Sequence, residues 1–133
     1  MPEYTGPIPV PSPETRPFWD AAKRHALELP RCRACGTMHY YPRGACPACL
    51  SGDLAWERVS GKGTLHTFTI VNRGQKGFPV PTPYVLAIVE LDEGPRLTSN
   101  IVAAPESVKV GMPVVVQFDD VTPEHTLVKF KPV

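Results

Sequence analysis

The sequence predicts a mainly β protein: one N-terminal helix, a compact four-cysteine module, and a barrel of five strands. Three observations predict it. All four cysteines fall between Cys32 and Cys49, in two Cys-x2-Cys pairs. The chain holds 17 prolines in 133 residues, where average usage of about 5% gives roughly seven. Proline at that density disfavours long helices and favours loops and edge strands. From Trp56 onward, five short runs of β-forming residues are separated by turn signals.

The expected organisation is an arm and helix over 1–30, the cysteine module over 31–55 and the barrel over 56–133. Residues 1–12 are proline-rich and aperiodic. Ser12 then reads as an N-cap, with Pro13 at the first helical position and Glu14 in the first turn. Pro17 divides this stretch, so the main helix is expected from about Pro17 to Leu29, with Pro30 ending it. Phe18, Ala22 and Leu29 share one face, with Trp19 and Ala26 beside them. Large aromatics usually bury, so core packing is one reading of Phe18 and Trp19. A docking face is the other.

Cys32-x2-Cys35-Gly36 and Cys46-x2-Cys49 are separated by ten residues. Each knuckle points two thiolates at one ion, and two knuckles complete a tetrahedral shell. Four thiolates leave no open position, so the metal holds structure. Zinc suits the spacing best, with iron as the second choice. Disulfides or a redox pair come third, because a redox Cys-x2-Cys normally sits in a βαβ context that is missing here. Gly36 supplies a left-handed residue after the first knuckle. The spacer, Thr37 to Ala45, is expected to form a short hairpin whose Tyr40, Tyr41 and Pro42 cover the site. His39 lies within it, a weaker ligand candidate than the four thiolates.

The strands follow. Thr64–Val71 alternates, Tyr84–Leu91 is more continuously apolar, and Arg96–Val102 forms a hairpin with it across Asp92-Glu93-Gly94-Pro95. Val114–Phe118 and Thr126–Lys131 complete five, which suits a closed barrel of the OB-fold type. Gly61-Lys62-Gly63 reads as the turn into the first of them. His66 is expected as a strand histidine satisfied within the barrel, His25 and His125 as exposed. Asp92-Glu93 and Asp119-Asp120 adjoin turns and are expected to be solvated. The loop from Asn72 to Pro83 is long for a strand connection, and long loops often carry function. It brings Arg73, Lys76 and Phe78, stiffened by prolines.

Composition excludes several classes. Fourteen basic and 13 acidic residues give a net charge of +1, without the basic excess of a nucleic-acid binder. No apolar run reaches the length of a membrane span, and the first residues lack the features of a signal peptide. The expected compartment is the cytoplasm. There is no fifth cysteine, no Gly-x-Ser-x-Gly and no phosphate-cradling glycine loop, so no catalytic set emerges.

Taken together, Pro17-Phe18-Trp19, Cys32-x2-Cys35-Gly36, Tyr41-Pro42-Arg43, Cys46-Pro47-x-Cys49, Gly61-x-Gly63-x-Leu65, Pro83-Tyr84 and Gly111 resemble the DUF35 family, from about Ser12 to Phe130. The resemblance implies a rubredoxin-like zinc ribbon followed by an OB-fold. It further implies a non-catalytic scaffold for a thiolase-like partner: a thiolase, a side-chain aldolase of the lipid-transfer-protein type, or an acyltransferase. Such a scaffold helps form the partner's acyl-CoA channel, in a hetero-oligomer expected to be two plus two. Phe18, Trp19, Phe78 and Tyr84 are then candidates for docking, and Arg73 and Lys76 for the CoA phosphates. One departure is Leu50-Ser51-Gly52 after Cys49, where the first knuckle has an immediate glycine; a looser second knuckle is expected from it. Two other readings remain: an OB-fold binder of single-stranded nucleic acid, and a small stand-alone enzyme.

Overall fold

The computed structural model describes residues 6–74 and 81–133; the Lys76 and Phe78 expectations lie outside them. Helix α1 spans Arg16–Lys23, starting where the main helix was expected and stopping six residues short of Leu29. Ser12 to Thr15 form a turn before it, closed by Arg16 N–H donating to the Ser12 carbonyl at 2.8 Å. Thr15, not Ser12, is the N-cap, and Pro17 belongs to the first turn, as the expected start of the main helix near Pro17 requires. The helix stops at Arg24 because His25 takes a left-handed φ of 59°. The N–H groups of His25 and Ala26 donate to the carbonyls of Ala22 and Ala21, both at 2.9 Å. This is the double-bonded C-terminal closure usually built with glycine.

Glu28 and Leu29, expected as the last residues of the helix, instead open β1, Glu28–Cys32, paired antiparallel with β2, Leu54–Arg58. Proline fits here because a two-stranded sheet has two edges.

The barrel comprises β3 (Lys62–Val71), β4 (Tyr84–Leu91), β5 (Arg96–Ile101), β6 (Pro113–Asp120) and β7 (Thr126–Pro132), closed in the order β3-β4-β5-β7-β6. The five expected strands are all present. The seal between β5 and β7 is thin: one parallel pair, Ile101 with Phe130, and Val102 N–H donating to the Phe130 carbonyl at 2.7 Å. The close approach of β3 to both of its neighbours needs glycine. A Cβ on Gly63 would lie 2.5 Å from the carbonyl oxygen of Glu90 on β4, and one on Gly61, just before β3, would run into the Val116 side chain on β6.

One apolar cluster runs through the whole molecule. Phe18, Leu27, Leu29, Met38 and Val59 join Leu65, Val85, Val89, Leu97, Val114 and Phe130 of the barrel. Among the described residues no helix is long and apolar enough to cross a membrane.

The structure corrects the expectation for His66 and gives partners to the turn carboxylates Glu93, Asp119 and Asp120. β3 shifts register between Leu65 and Thr67, which leaves His66 exposed at a bulge. Glu93 is tied down: its carboxylate accepts from Ser60 N–H at 2.8 Å. Asp119 and Asp120 end β6 and both are paired. Lys129 Nζ meets Asp119 at 2.6 Å, and His25 Nε2 meets Asp120 at 2.9 Å.

Candidate metal centre

The two knuckles repeat one backbone pattern. In the first, Cys32 N–H donates to the Thr37 carbonyl and Gly36 N–H to the Cys32 carbonyl, both at 2.8 Å. In the second, Cys46 N–H donates to the Ser51 carbonyl and Leu50 N–H to the Cys46 carbonyl, again at 2.8 Å. The match extends to the left-handed residue: Gly36 has φ 79° and Leu50 φ 66°. The second knuckle is therefore not looser. Leucine is held where glycine would sit without strain.

The first knuckle is anchored to the ribbon sheet. Arg31 donates through Nε to Glu57 of β2 at 2.9 Å and through Nη1 to the Gly36 carbonyl at 2.7 Å. Arg33 N–H donates to the Asp53 carbonyl at 2.9 Å.

These anchors gather the four Sγ atoms within 4.8 Å of one another. Cys32 lies 3.5 Å from Cys49 and Cys35 lies 3.6 Å from Cys46. A tetrahedral ion with metal–sulfur bonds of about 2.3 Å needs sulfur separations of about 3.8 Å. Each knuckle gives one buried and one exposed cysteine, Cys32 and Cys46 inside, Cys35 and Cys49 outside. Among the described residues these four form the one cluster of metal-ligating type. His39 is not part of it.

The electrostatics favour a cation. The hydroxyl and backbone N–H of Thr37 hydrogen-bond to Cys35 and lower its thiol to about 6. For Cys49, Ser51 N–H pulls downward, but Cys32 and Cys35 beside it carry the thiol up to about 12. The cluster thus gives up its first proton readily and holds its last. A bound cation offsets the gathered negative charge and deprotonates all four. The donor set fits a structural metal.

The spacer tyrosines pack on the helix. Tyr40 and Tyr41 ring centroids lie 5.8 and 6.1 Å from that of Phe18, and Trp19 Nε1 donates to Tyr41 Oη at 3.2 Å. Phe18 is itself 2% exposed and sits 4.9 Å from Trp19 in an edge-to-face contact. Phe18 is thus enclosed by its own chain, while Trp19 stays half-buried at the surface. Tyr84 opens β4 opposite Val71. Arg73, two residues beyond Val71, is exposed at the same end of the barrel.

Two family models match in series. They describe the ChsH2 rubredoxin-like zinc ribbon domain, over residues 19–55, and the ChsH2 C-terminal OB-fold domain, over residues 56–119. A DUF35 domain-containing scaffold protein of Methanocaldococcus jannaschii is 42% identical over 94 residues, 69% of this chain and 67% of that one. The chain belongs to the DUF35 family.

Other relatives bear the names of acyl-CoA enzyme subunits. A probable enoyl-CoA hydratase alpha subunit of Thermomonospora curvata is 40% identical over 118 residues, 86% of this chain; the match spans only 36% of that protein. The benzoylsuccinyl-CoA thiolase subunit BbsA of Thauera aromatica is 30% identical over 77 residues, 58% of this chain and 52% of BbsA. The solved Ltp2-ChsH2(DUF35) aldolase contains a chain that superposes with a TM-score of 0.84 and 36% identity, covering 93% of this DUF35 chain and 98% of that chain.

Two structural elements escape the sequence reading: the Tyr40–Tyr41 bridge to the helix, and a cross-chain clamp. In the clamp the His25 ring stacks on Phe118 at 5.2 Å and 8°, and Asp120 also accepts from Thr126 Oγ1. The signal for the first was present in Trp19 and the paired tyrosines. The clamp's partners are 95 residues apart, and no local pattern marks them.

Proposed function

We propose that this chain is a non-catalytic scaffold subunit of an acyl-CoA-processing complex, docked on a thiolase-like partner that carries the catalytic residues. The observation that carries the reading is the structural match with the DUF35 chain of the Ltp2-ChsH2 aldolase, which leaves almost none of that chain unaccounted for. The kinship with a benzoylsuccinyl-CoA thiolase subunit supports a thiolase-like partner and an acyl-CoA substrate.

The metal in this reading is zinc, bound by Cys32, Cys35, Cys46 and Cys49. Its role is to hold the two knuckles on the β1–β2 ribbon, since four thiolates leave no site for substrate. Iron is the second choice of ion. Arg73, with Lys76, is assigned to the CoA phosphates, and Trp19 and Tyr84 to contact with the partner or CoA. The complex is assigned two copies of each subunit, and the cytoplasm as its compartment.

The test is a pull-down of the tagged chain from lysate of its native host, with mass spectrometry of what is bound and elemental analysis of the metal. Near-equal amounts of a thiolase-like protein, with one zinc per chain, are expected. Recovery of nucleic acid in place of such a protein overturns the reading in favour of a single-strand binder. Iron in place of zinc changes the ion and leaves the scaffold role standing.

A further inference from the structure

The β4 sequence runs Tyr84-Val85-Leu86-Ala87-Ile88-Val89 before its first charged residue. Val85, Ala87 and Val89 point inward, at 0%, 2% and 0% exposure. The outward set, by alternation, is Tyr84, Leu86 and Ile88, and it is apolar as well. An antiparallel strand with one wet face alternates apolar-in and polar-out; a strand apolar on both faces is a strand covered on both. Leu86 is nonetheless 38% exposed.

Its neighbours extend the pattern. Thr69 stands opposite Leu86 and Thr67 opposite Ile88 on β3, and Thr98 stands opposite Ile88 on β5. Thr67, Thr69, Leu86, Ile88 and Thr98 line an open groove of ≈ 270 Å³. None carries a formal charge, in a chain that is 20% charged. The next rung has Glu90 opposite Arg96, where charge returns. The β6–β7 side differs, with Asp119 and Lys129 paired there. β3 also pairs with β6 only through Lys62, Gly63 and Thr64. Beyond the Leu65 contacts, its remaining edge has no strand beside it among the described residues.

Resting on the scaffold reading, we propose that this outer face of β3–β4–β5, centred on Leu86 and Ile88, is where the thiolase-like subunit docks. The charge pattern selects the occupant. OB barrels grip single strands on such a face with aromatic platforms in a positive groove. This groove offers no cation to a phosphate backbone. A threonine and aliphatic patch without charge, bordered by a charged rung, is instead the make-up of a protein-interface core and its rim. Its complement is an equally uncharged protein surface, since a charge buried against it has no partner.

The experiment uses the full-length chain and the thiolase-like protein recovered in the pull-down. Thr69→Arg and Leu86→Arg are compared with wild type and with Lys131→Glu on β7, by titration calorimetry. Unchanged metal content and circular dichroism exclude misfolding. About thirtyfold or greater weakening is expected for the two arginine variants, from burying an unpaired charge, and a change within about threefold for Lys131→Glu. Hydrogen exchange of the wild-type pair provides a readout free of any variant, with protection expected in Thr67–Val71 and Tyr84–Ile88 on binding. Wild-type affinity in both arginine variants, without that protection, overturns the assignment while the scaffold reading stands. A wild-type dimer split by Thr69→Arg overturns it in favour of a second copy on this face. A thiolase-like protein that fails to bind the wild-type chain removes both.

Discussion

Leu50 holds in the second knuckle the left-handed backbone that Gly36 holds in the first, at φ 66° against 79°. For an L-residue with a Cβ this conformation costs about 1–2 kcal/mol. Leu50 is 79% exposed, so it recovers little through burial. Leu50→Gly should therefore stabilise the metal-bound chain, by about 0.5–1 kcal/mol once the greater freedom of glycine in the unfolded chain is deducted. Urea unfolding at fixed metal concentration reads this. A less stable variant would mean that the leucine side chain makes a contact worth more than the strain.

Metal removal should reach beyond the ribbon. A structural zinc contributes folding free energy on the order of 10 kcal/mol. Leu29, Met38 and Val59 share one apolar cluster with the barrel, so loss of the ion loosens one end of that core. Chelation, or Cys46→Ser, should lower the melting temperature of the whole chain in a single transition. A barrel transition that stays put would show that the cluster is not cooperative.

His39 predicts a pH effect. Both its ring nitrogens are buried without a hydrogen-bond partner among the described residues. Burial first, and the Arg43 charge second, push its pKa below the ordinary histidine value. The unfolded chain, near 6.5, then takes up the proton first on acidification. The stability is fully present above about pH 6.5 and falls as pH drops from there toward the lower folded value. His39→Leu removes both orphaned nitrogens. It should be at least as stable at neutral pH and should lose less than wild type between pH 7.5 and 5.5. Equal acid losses in parallel urea titrations would rule this out.

Asp120 acts in a lower window. The Thr126 hydroxyl first, and His25 second, hold its carboxyl below the usual range. Its contribution is present above the unfolded carboxylate value of about 3.9 and fades as pH falls through the folded one. Asp120→Asn should lower the melting temperature at pH 7, and the gap to wild type should close in strong acid. A constant gap down to pH 2 would assign the loss to something other than this carboxylate.

Much of the fold was legible because its signals are local. The cysteine spacing marks the ribbon, and the β-branched runs with their turns mark all five barrel strands. β4 even starts and ends where the pattern does. The failures have physical causes. The helix ends on a left-handed histidine, a role usually marked by glycine, so the helical pattern runs on to Leu29 and hides the start of β1 at Glu28. The second knuckle hides its symmetry because leucine performs what glycine performs in the first. Tyr40 and Tyr41 suited a cover for the metal, but the helix offered them two aromatic rings. The His25–Asp120 contact depends on barrel closure, which no window along the chain contains.

The thin seal between β5 and β7 has a mechanical corollary. One rung, Ile101 with Phe130, joins those strands, and Ser99 Oγ adds a cross-tie to the Val128 carbonyl at 2.9 Å. Phe18 and Trp19 of α1 lie against the cleft there, with Tyr40, Leu97 and Val128. A helix that continues directly from the N-terminal arm thus serves as the wedge in the barrel's weakest seam. Tension applied to that arm would be carried by α1 to this seam and would draw the wedge out of it.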